Sequence, residues 1–366
     1  MYRYFYIKLT LSSLPATLIV VFLTLSAAPG SAATIGGVYY LSSPNQSSIP
    51  DWVLNNPYVD GIAYRATWSE LEPRDSGFRF SELDNVLAQA RSSGKRVSLI
   101  VQAGHTTPAW VYEHGAAAFN FIWDQNYGAA LCSDAKIPIP WDPIFQANWA
   151  SFLATLGRRY DNNSTLAFIY LTGINGSGAE MSLPANNGKN PIYDANGTVL
   201  CTSYNDTSRW RAIGYTRLRV EVAWIQIANY YAASFPRKRW IAPLVPGLFP
   251  PLDDWGNLLP GATKRSVDKQ LHKDVLSIGV TSYSAHFGAR NAGLTNKYIM
   301  DDIVDVSAYV PTGQQTPSPL GEKLPRAINL AIENNAVFLE LYPDDIANPS
   351  LAAIIRYAHA MLYWKD

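Results

Sequence analysis

Two glutamates stand where chemistry could be done. The run Leu166-Ala167-Phe168-Ile169-Tyr170-Leu171-Thr172-Gly173 is apolar, β-branched and aromatic, the pattern of a fully buried strand. A loose stretch from Ile174 to Ala179 follows it and delivers Glu180. Glu340 lies inside Val337-Phe338-Leu339-Glu340-Leu341-Tyr342-Pro343, where a carboxylate is costly to bury unless it is paired or employed. Two carboxylates at one mouth, among apolar and aromatic side chains, are the minimal apparatus for cleaving a glycosidic bond. One protonates the leaving oxygen, and the other attacks the anomeric carbon or activates a water. Each also has a plainer reading: Glu340 as a buried carboxylate salt-bridged to a core arginine, and Glu180 as a solvated loop residue.

The elements that must position them alternate between short apolar runs and helix-periodic segments, which implies βα units and a parallel sheet. Strands are expected at Ile35 to Leu41, Val59 to Trp68, Lys95 to Gln102, Leu166 to Gly173, Arg239 to Val245, Val275 to Tyr283, Val304 to Val310 and Ala336 to Tyr342. Helices are expected at Ser81 to Ser93, with Ser81 as N-cap and Gly94 as terminator, and at Pro143 to Tyr160, Ser208 to Ser234, Leu324 to Asn334 and Ser350 to Trp364. Eight such units match an α/β fold, a (β/α)8 barrel with long loops after strands three and four, whose active residues sit at the C-terminal ends of the strands. Residues 34–366 then form a single catalytic domain.

With 366 residues, 48% hydrophobic and 16% charged, the chain has material for a large core. Lys and Arg total 29 against 29 Asp and Glu, so no net field recruits a nucleic acid or an anionic membrane. The 11 Trp and 22 Tyr fit either a large core or a surface that stacks on sugar rings, and the expected partner, a carbohydrate, follows from the glutamate pair. His105 and Trp110 after strand three, Trp68 after strand two, Asn175, Tyr283 and His286 are candidate sugar contacts, each with a structural alternative. No metal-ligand spacing, nucleotide loop or serine-hydrolase elbow occurs, so no cofactor and no metal is expected. Residues 1–33 read as an export signal: Arg3 and Lys8, the apolar stretch Leu14 to Leu25, then Gly30-Ser31-Ala32-Ala33. An uncleaved membrane anchor is the alternative. Export makes Cys132 and Cys201 a plausible disulfide tying the loops above strands three and four.

Gly61-Ile62-Ala63-Tyr64-Arg65-Ala66-Thr67-Trp68-Ser69-Glu70-Leu71-Glu72-Pro73, then Gly77-Phe78-Arg79-Phe80-Ser81-Glu82-Leu83-Asp84, resembles the second βα unit of clan A glycoside hydrolases, in particular the β-galactosidase-like family 42. Thr107-Pro108-Ala109-Trp110 fits the same group. The resemblance implies a glycoside hydrolase, with Glu180 as acid/base, Glu340 as nucleophile, Arg65 orienting the nucleophile and Tyr283 donating a hydrogen bond to it. Two positions depart from the family pattern. Ala179, not Asn, precedes Glu180, and Glu340 falls on the eighth expected strand where the clan places its nucleophile on the seventh. Those departures keep a non-catalytic, carbohydrate-binding or structural barrel open as the alternative; for an active pair, retention of configuration is slightly favoured over inversion.

Overall fold

A computed structural model describes residues 35–124, 131–176, 178–245, 249–259, 264–294 and 297–363. The proposed leader at 1–33 lies outside them. Eight strands close into a barrel in which every neighbouring pair is parallel: β1 Gly37–Leu41, β2 Gly61–Thr67, β3 Arg96–Gln102, β4 Leu166–Tyr170, β5 Arg239–Leu244, β6 Phe287–Asn291, β7 Thr312–Gln315 and β8 Phe338–Leu341. Around it run α1 Ser81–Ser92, α2 Pro143–Tyr160, α3 Arg217–Ser234, α4 Lys264–Tyr283, α5 Lys297–Val306, α6 Leu324–Glu333 and α7 Ala352–Leu362. The chain is a (β/α)8 barrel, as the alternation implied, and Ala32–Asp366 make one compact unit.

Strand parity divides the core in two. Outward residues such as Leu166, Ile169, Leu171, Leu339 and Leu341 pack on the helices, while Tyr39, Ala63, Ile100, Phe168, Tyr170, Ile241 and Phe338 form a second, inner cluster. Its floor is a triangle of rings, Tyr39, Phe168 and Phe338, with centroids 4.9–6.0 Å apart. Glycines make the space. A Cβ on Gly61 would lie 2.3 Å from Tyr39, and one on Gly313 would lie 2.0 Å from Phe338.

Helices follow from local signals. On α1, Leu83, Val86, Leu87 and Ala90 are buried at helical spacing, and Gly94 closes the turn at φ +66. Ser81 is not its N-cap, however: Phe80 holds that position with no side-chain bond. The start of α2 is capped by Asp142, which accepts from the amides of Ile144 and Phe145 at 3.0 and 2.9 Å, with Pro143 in the first turn.

Three expected elements are corrected. Val275 to Tyr283 is the last part of α4, not strand six: Leu271, Val275 and Leu276 recur at helical spacing and are buried on the barrel side. Strand six is the short run after it, Phe287–Asn291. Val304 to Val310 likewise spans the end of α5 and the turn beyond it, and strand seven is Thr312–Gln315, whose two glutamines and glycine hid it from an apolar search. The single helix expected at Ser208 to Ser234 is broken by Gly214, at φ +80, into Asp206–Ala212 and α3. The two long insertions carry hairpins, Ala118–Ile122 with Asp134–Pro138 and Pro191–Tyr193 with Val199–Thr202. The disulfide Cys132–Cys201 joins them, with sulfurs 1.98 Å apart.

Candidate active site

Above the aromatic floor, the even-numbered strands contribute a polar layer: Arg65 from β2, Tyr170 from β4, Arg290 from β6 and Glu340 from β8. Tyr170 and Glu340 sit two residues beyond Phe168 and Phe338, so they point inward for the same reason of parity. Glu340 and Arg290 are both 0% exposed. The Tyr170 hydroxyl donates to Oε1 of Glu340, and Arg290 Nε stands 3.5 Å from Oε2, an ion pair too long for a hydrogen bond. Arg290 Nη2 donates to Glu180 Oε1 at 3.1 Å, Nη1 donates to Gln315 Oε1, and the guanidinium lies 4.8 Å from the Tyr170 ring centroid. Glu180, its side chain 16% exposed, therefore faces Glu340 across one planar cation. A guanidinium is about 2.3 Å across its nitrogens, so the nearest carboxylate oxygens are at most about 9 Å apart, no farther than the widest spacing of an inverting pair.

Burial raises the pKa of Glu340, and the charge of Arg290 and the hydroxyl of Tyr170 pull it back. Burial, together with the Glu340 charge, lifts Tyr170 well above its ordinary value, so it remains a donor. For Arg65 burial lowers the pKa, opposed by Tyr342, Glu180 and Glu340.

Glu180 is brought to the mouth by a closed loop. Ser182 N donates to Ile174 O at 2.7 Å, Gly176 N to Ser182 O at 2.8 Å, and Met181 N to Pro243 O at the end of β5 at 3.3 Å. Asn175 is the buckle. Its Oδ1 accepts from Gly173 N, and its Nδ2 donates to the carbonyls of Ala179 and Glu180, each at 2.9 Å. Asn175 is fully buried, so its role is to hold the loop rather than to touch sugar. The neighbouring loop is fitted to it: Gly104 has φ +61, a Cβ there would come within 1.7 Å of Asn175 O, and His105 N donates to that oxygen at 3.2 Å.

Several proposed sugar contacts belong elsewhere. Trp68 is 0% exposed, enclosed by Trp110, Phe145, Trp149 and Phe152, with its indole N–H bound to Glu72 Oε2 at 2.9 Å. Trp110 donates to Glu72 O at 3.0 Å, also buried. Both are packing residues. Tyr283 and His286 lie before β6, at the opposite end of the barrel: Tyr283 donates to Asn229 Oδ1 at 2.5 Å, and His286 Nδ1 lies 3.1 Å from Lys238 O. Neither reaches the carboxylates, because the strand assumed to end at Tyr283 is a helix. His105 stays on the loop after β3, half-buried against Trp123, its pKa lowered to about 4 by burial, partly offset by Asn175. Arg65 keeps its place at the mouth, though its Nε donates to Ser42 O at 2.6 Å instead of to Glu340.

The residues missed are Tyr170, Arg290, Gln315 and Tyr342. Tyr170 was legible by parity with Phe168. The half-buried Tyr342 stands just past β8, where burial pushes its pKa up and the charges of Arg65, Glu180, Arg290 and Glu340 bear on its hydroxyl.

Residues 61–172 match the family 42 β-galactosidase model. No curated protein matches the chain. A cold-adapted β-galactosidase from Rahnella sp. R3 shares the fold with TM-score 0.50 at 10% identity, over 90% of this chain and 56% of that one. A β-galactosidase from the psychrophilic Marinomonas ef1 gives 0.48 at 10%, over 88% and 59%, and an exo-β-1,4-mannosidase from Opitutaceae bacterium strain TAV5 gives 0.46 at 11%, over 90% and 60%. The chain spans little more than half the length of these proteins. It is a (β/α)8 barrel whose segment from β2 to just past β4 is similar to the family 42 β-galactosidase model.

Proposed function

We propose that the protein is an exported glycoside hydrolase that cleaves an O-glycosidic bond with Glu180 and Glu340. The observation that carries this reading is the convergence of both carboxylates on Arg290 at the C-terminal end of the barrel, with Glu340 Oε1 fixed by Tyr170 and Oε2 left without a hydrogen bond. A buried carboxylate oxygen without a donor is costly, and such costs concentrate where an atom has work to do. Glu180 gives its proton to the glycosidic oxygen as the bond to the anomeric carbon breaks. In the retaining course Oε2 of Glu340 forms an ester with that carbon, and water activated by Glu180 then hydrolyses it; in the inverting course Glu340 deprotonates the water directly. Retention is slightly favoured, since Oε2 is the oxygen free to attack.

Export is supported by the Cys132–Cys201 disulfide, which suits an oxidising compartment, and by the leader-like residues 1–33. Among the described residues no helix is long and apolar enough to cross a membrane. The substrate class is a glycan, and β-galactosides are the first to try because of the family 42 match.

A second reading has its own observation. Arg290 stands between the two carboxylates, and Glu340 is fully buried, as in a structural ion pair. A barrel that binds glycans without cleaving them would show this. Assay of the wild type, Glu180→Gln and Glu340→Gln on a panel of phenyl glycosides with unactivated leaving groups decides: both variants should lose at least a hundredfold in kcat. Full activity in either one refutes the pairing, and glycan binding without turnover in the wild type favours the second reading.

A further inference from the structure

We propose that Arg290 is the positioning residue of the carboxylate pair, a single guanidinium that turns Glu180 and Glu340 towards each other, and that it takes the orienting role the resemblance assigns to Arg65. The proposal rests on the glycoside hydrolase reading of the same site.

The geometry is specific. Arg290 uses three edges of its fork, Nη2 on Glu180, Nε towards Glu340 and Nη1 on Gln315, while its flat face rests over Tyr170. A planar group held on three edges and one face has little freedom, and an ammonium could not reproduce those contacts. Arg65 is differently employed: its Nε is committed to the Ser42 carbonyl, and it reaches the carboxylates only through charge.

Stability alone does not account for Arg290. Burying an ion pair is often no better than burying apolar groups of the same size, and a structural pair gains most when it closes into two hydrogen bonds. This one stays open. Nε of Arg290 and Oε2 of Glu340 lie 3.5 Å apart, and neither has a hydrogen-bond partner among the described residues. The gap leaves Oε2 available to an anomeric carbon while Oε1 stays fixed, and Gln315 and Tyr170 keep the guanidinium from swinging onto Oε2. The charged and titratable groups facing Glu340 are Arg290 from β6, Tyr170 from β4, Arg65 from β2, and Glu180 on the loop after β4; Tyr342 stands just past β8.

The test uses the full chain with Arg290→Lys, Arg290→Met and Arg65→Lys. Three readouts are taken: thermal unfolding, kcat and KM on an aryl glycoside, and the titration of the Glu340 carboxyl carbon by 13C NMR, assigned by its absence in Glu340→Gln. Arg290→Lys should keep the fold, lose roughly a hundredfold in kcat with KM changed by less than about threefold, and move the acid limb of the rate profile upward. The Glu340 titration should move upward in the same variant and further in Arg290→Met, since an anion deprived of its cation is harder to form. Arg65→Lys should lose less than about tenfold in kcat and barely move Glu340. A Glu340 titration unchanged in Arg290→Lys, or moved more by Arg65→Lys, overturns the proposal even if Arg290→Met does not fold. Should the wild type hydrolyse no aryl glycoside, the functional reading fails, and the NMR titration still decides whether Arg290 governs the pair.

Discussion

Replacing Asn175 by Ala probes how Glu180 reaches the site. The side chain makes three hydrogen bonds at 2.9 Å, buried ones with the Gly173 amide and the Ala179 carbonyl and a part-buried one with the Glu180 carbonyl. Alanine leaves the Gly173 amide and the Ala179 carbonyl without those partners and the Glu180 carbonyl with one long bond from Ser182 Oγ at 3.4 Å. An orphaned buried polar group costs about 1–3 kcal/mol, and because the loop can relax and admit water the low end applies, giving about 3 kcal/mol in all. For a barrel of this size that lowers Tm by about 4 °C. The carbonyl of Glu180 is itself one of the released groups, so the carboxylate shifts as well, and a misplacement near 1 Å costs roughly a hundredfold in kcat. Asn175→Asp should be worse than Ala, because it keeps the acceptor facing Gly173 and turns a negative oxygen on the two carbonyls. Circular dichroism melting and kcat on an aryl glycoside measure both effects. An alanine variant that melts within about 2 °C of the wild type, or that loses stability with kcat intact, would refute the idea that Asn175 aims Glu180.

Other outcomes follow from the same structure. Removing the Cys132–Cys201 bridge by a double Ser substitution frees a loop with sequence separation 69, and chain entropy sets the stability loss at about 4 kcal/mol. Urea unfolding of the oxidised and substituted proteins measures it. Trp68→Phe loses the bond to Glu72 and part of an aromatic cluster. It should cost about 1–3 kcal/mol in a melt yet leave KM for glycosides unchanged, whereas a raised KM would restore Trp68 as a sugar contact. His272 is wholly buried, between Trp224 and Phe249, and burial pushes its pKa down to about 3. The unfolded chain binds its proton first, so this contribution to stability is complete above about pH 6.5 and declines as pH falls towards 3, by about 2 kcal/mol at pH 5. His272→Leu should flatten that part of the urea midpoint against pH, and an unchanged slope would mean the ring is not kept neutral.

How much was legible in the sequence depended on which signal carried each element. Strands two, three, four and eight are long or strongly apolar, and their periodicity and flanking glycines placed Arg65, Glu180 and Glu340 at the mouth. Strands six and seven read Phe-Gly-Ala-Arg-Asn and Thr-Gly-Gln-Gln, with few apolar residues. Their inward positions are polar because the site itself occupies them, and the glycines exist to clear Ile241 and Phe338. The functional residues thus erased the pattern that would have revealed their strands, and Arg290 and Gln315 were lost with them. The helix α4 has Val275, Leu276, Ile278 and Val280 close together, which imitates a strand. That imitation misplaced Tyr283 and His286. Trp68 was misread for another reason: a tryptophan just beyond a strand end looks the same in sequence whether it lines a mouth or plugs the gap between two helices.

Glu180 and Glu340 as a working acid and nucleophile are tested most directly by the dependence of hydrolysis on the leaving group. Glu180→Gln should release dinitrophenol from a dinitrophenyl glycoside, whose leaving group needs no proton, with kcat/KM within about tenfold of the wild type, and should cleave an unactivated phenyl glycoside with kcat/KM roughly a thousandfold lower. Glu340→Gln should lose both substrates. Equal losses on the two substrates in Glu180→Gln, or a wild-type rate in Glu340→Gln, would contradict the assignment.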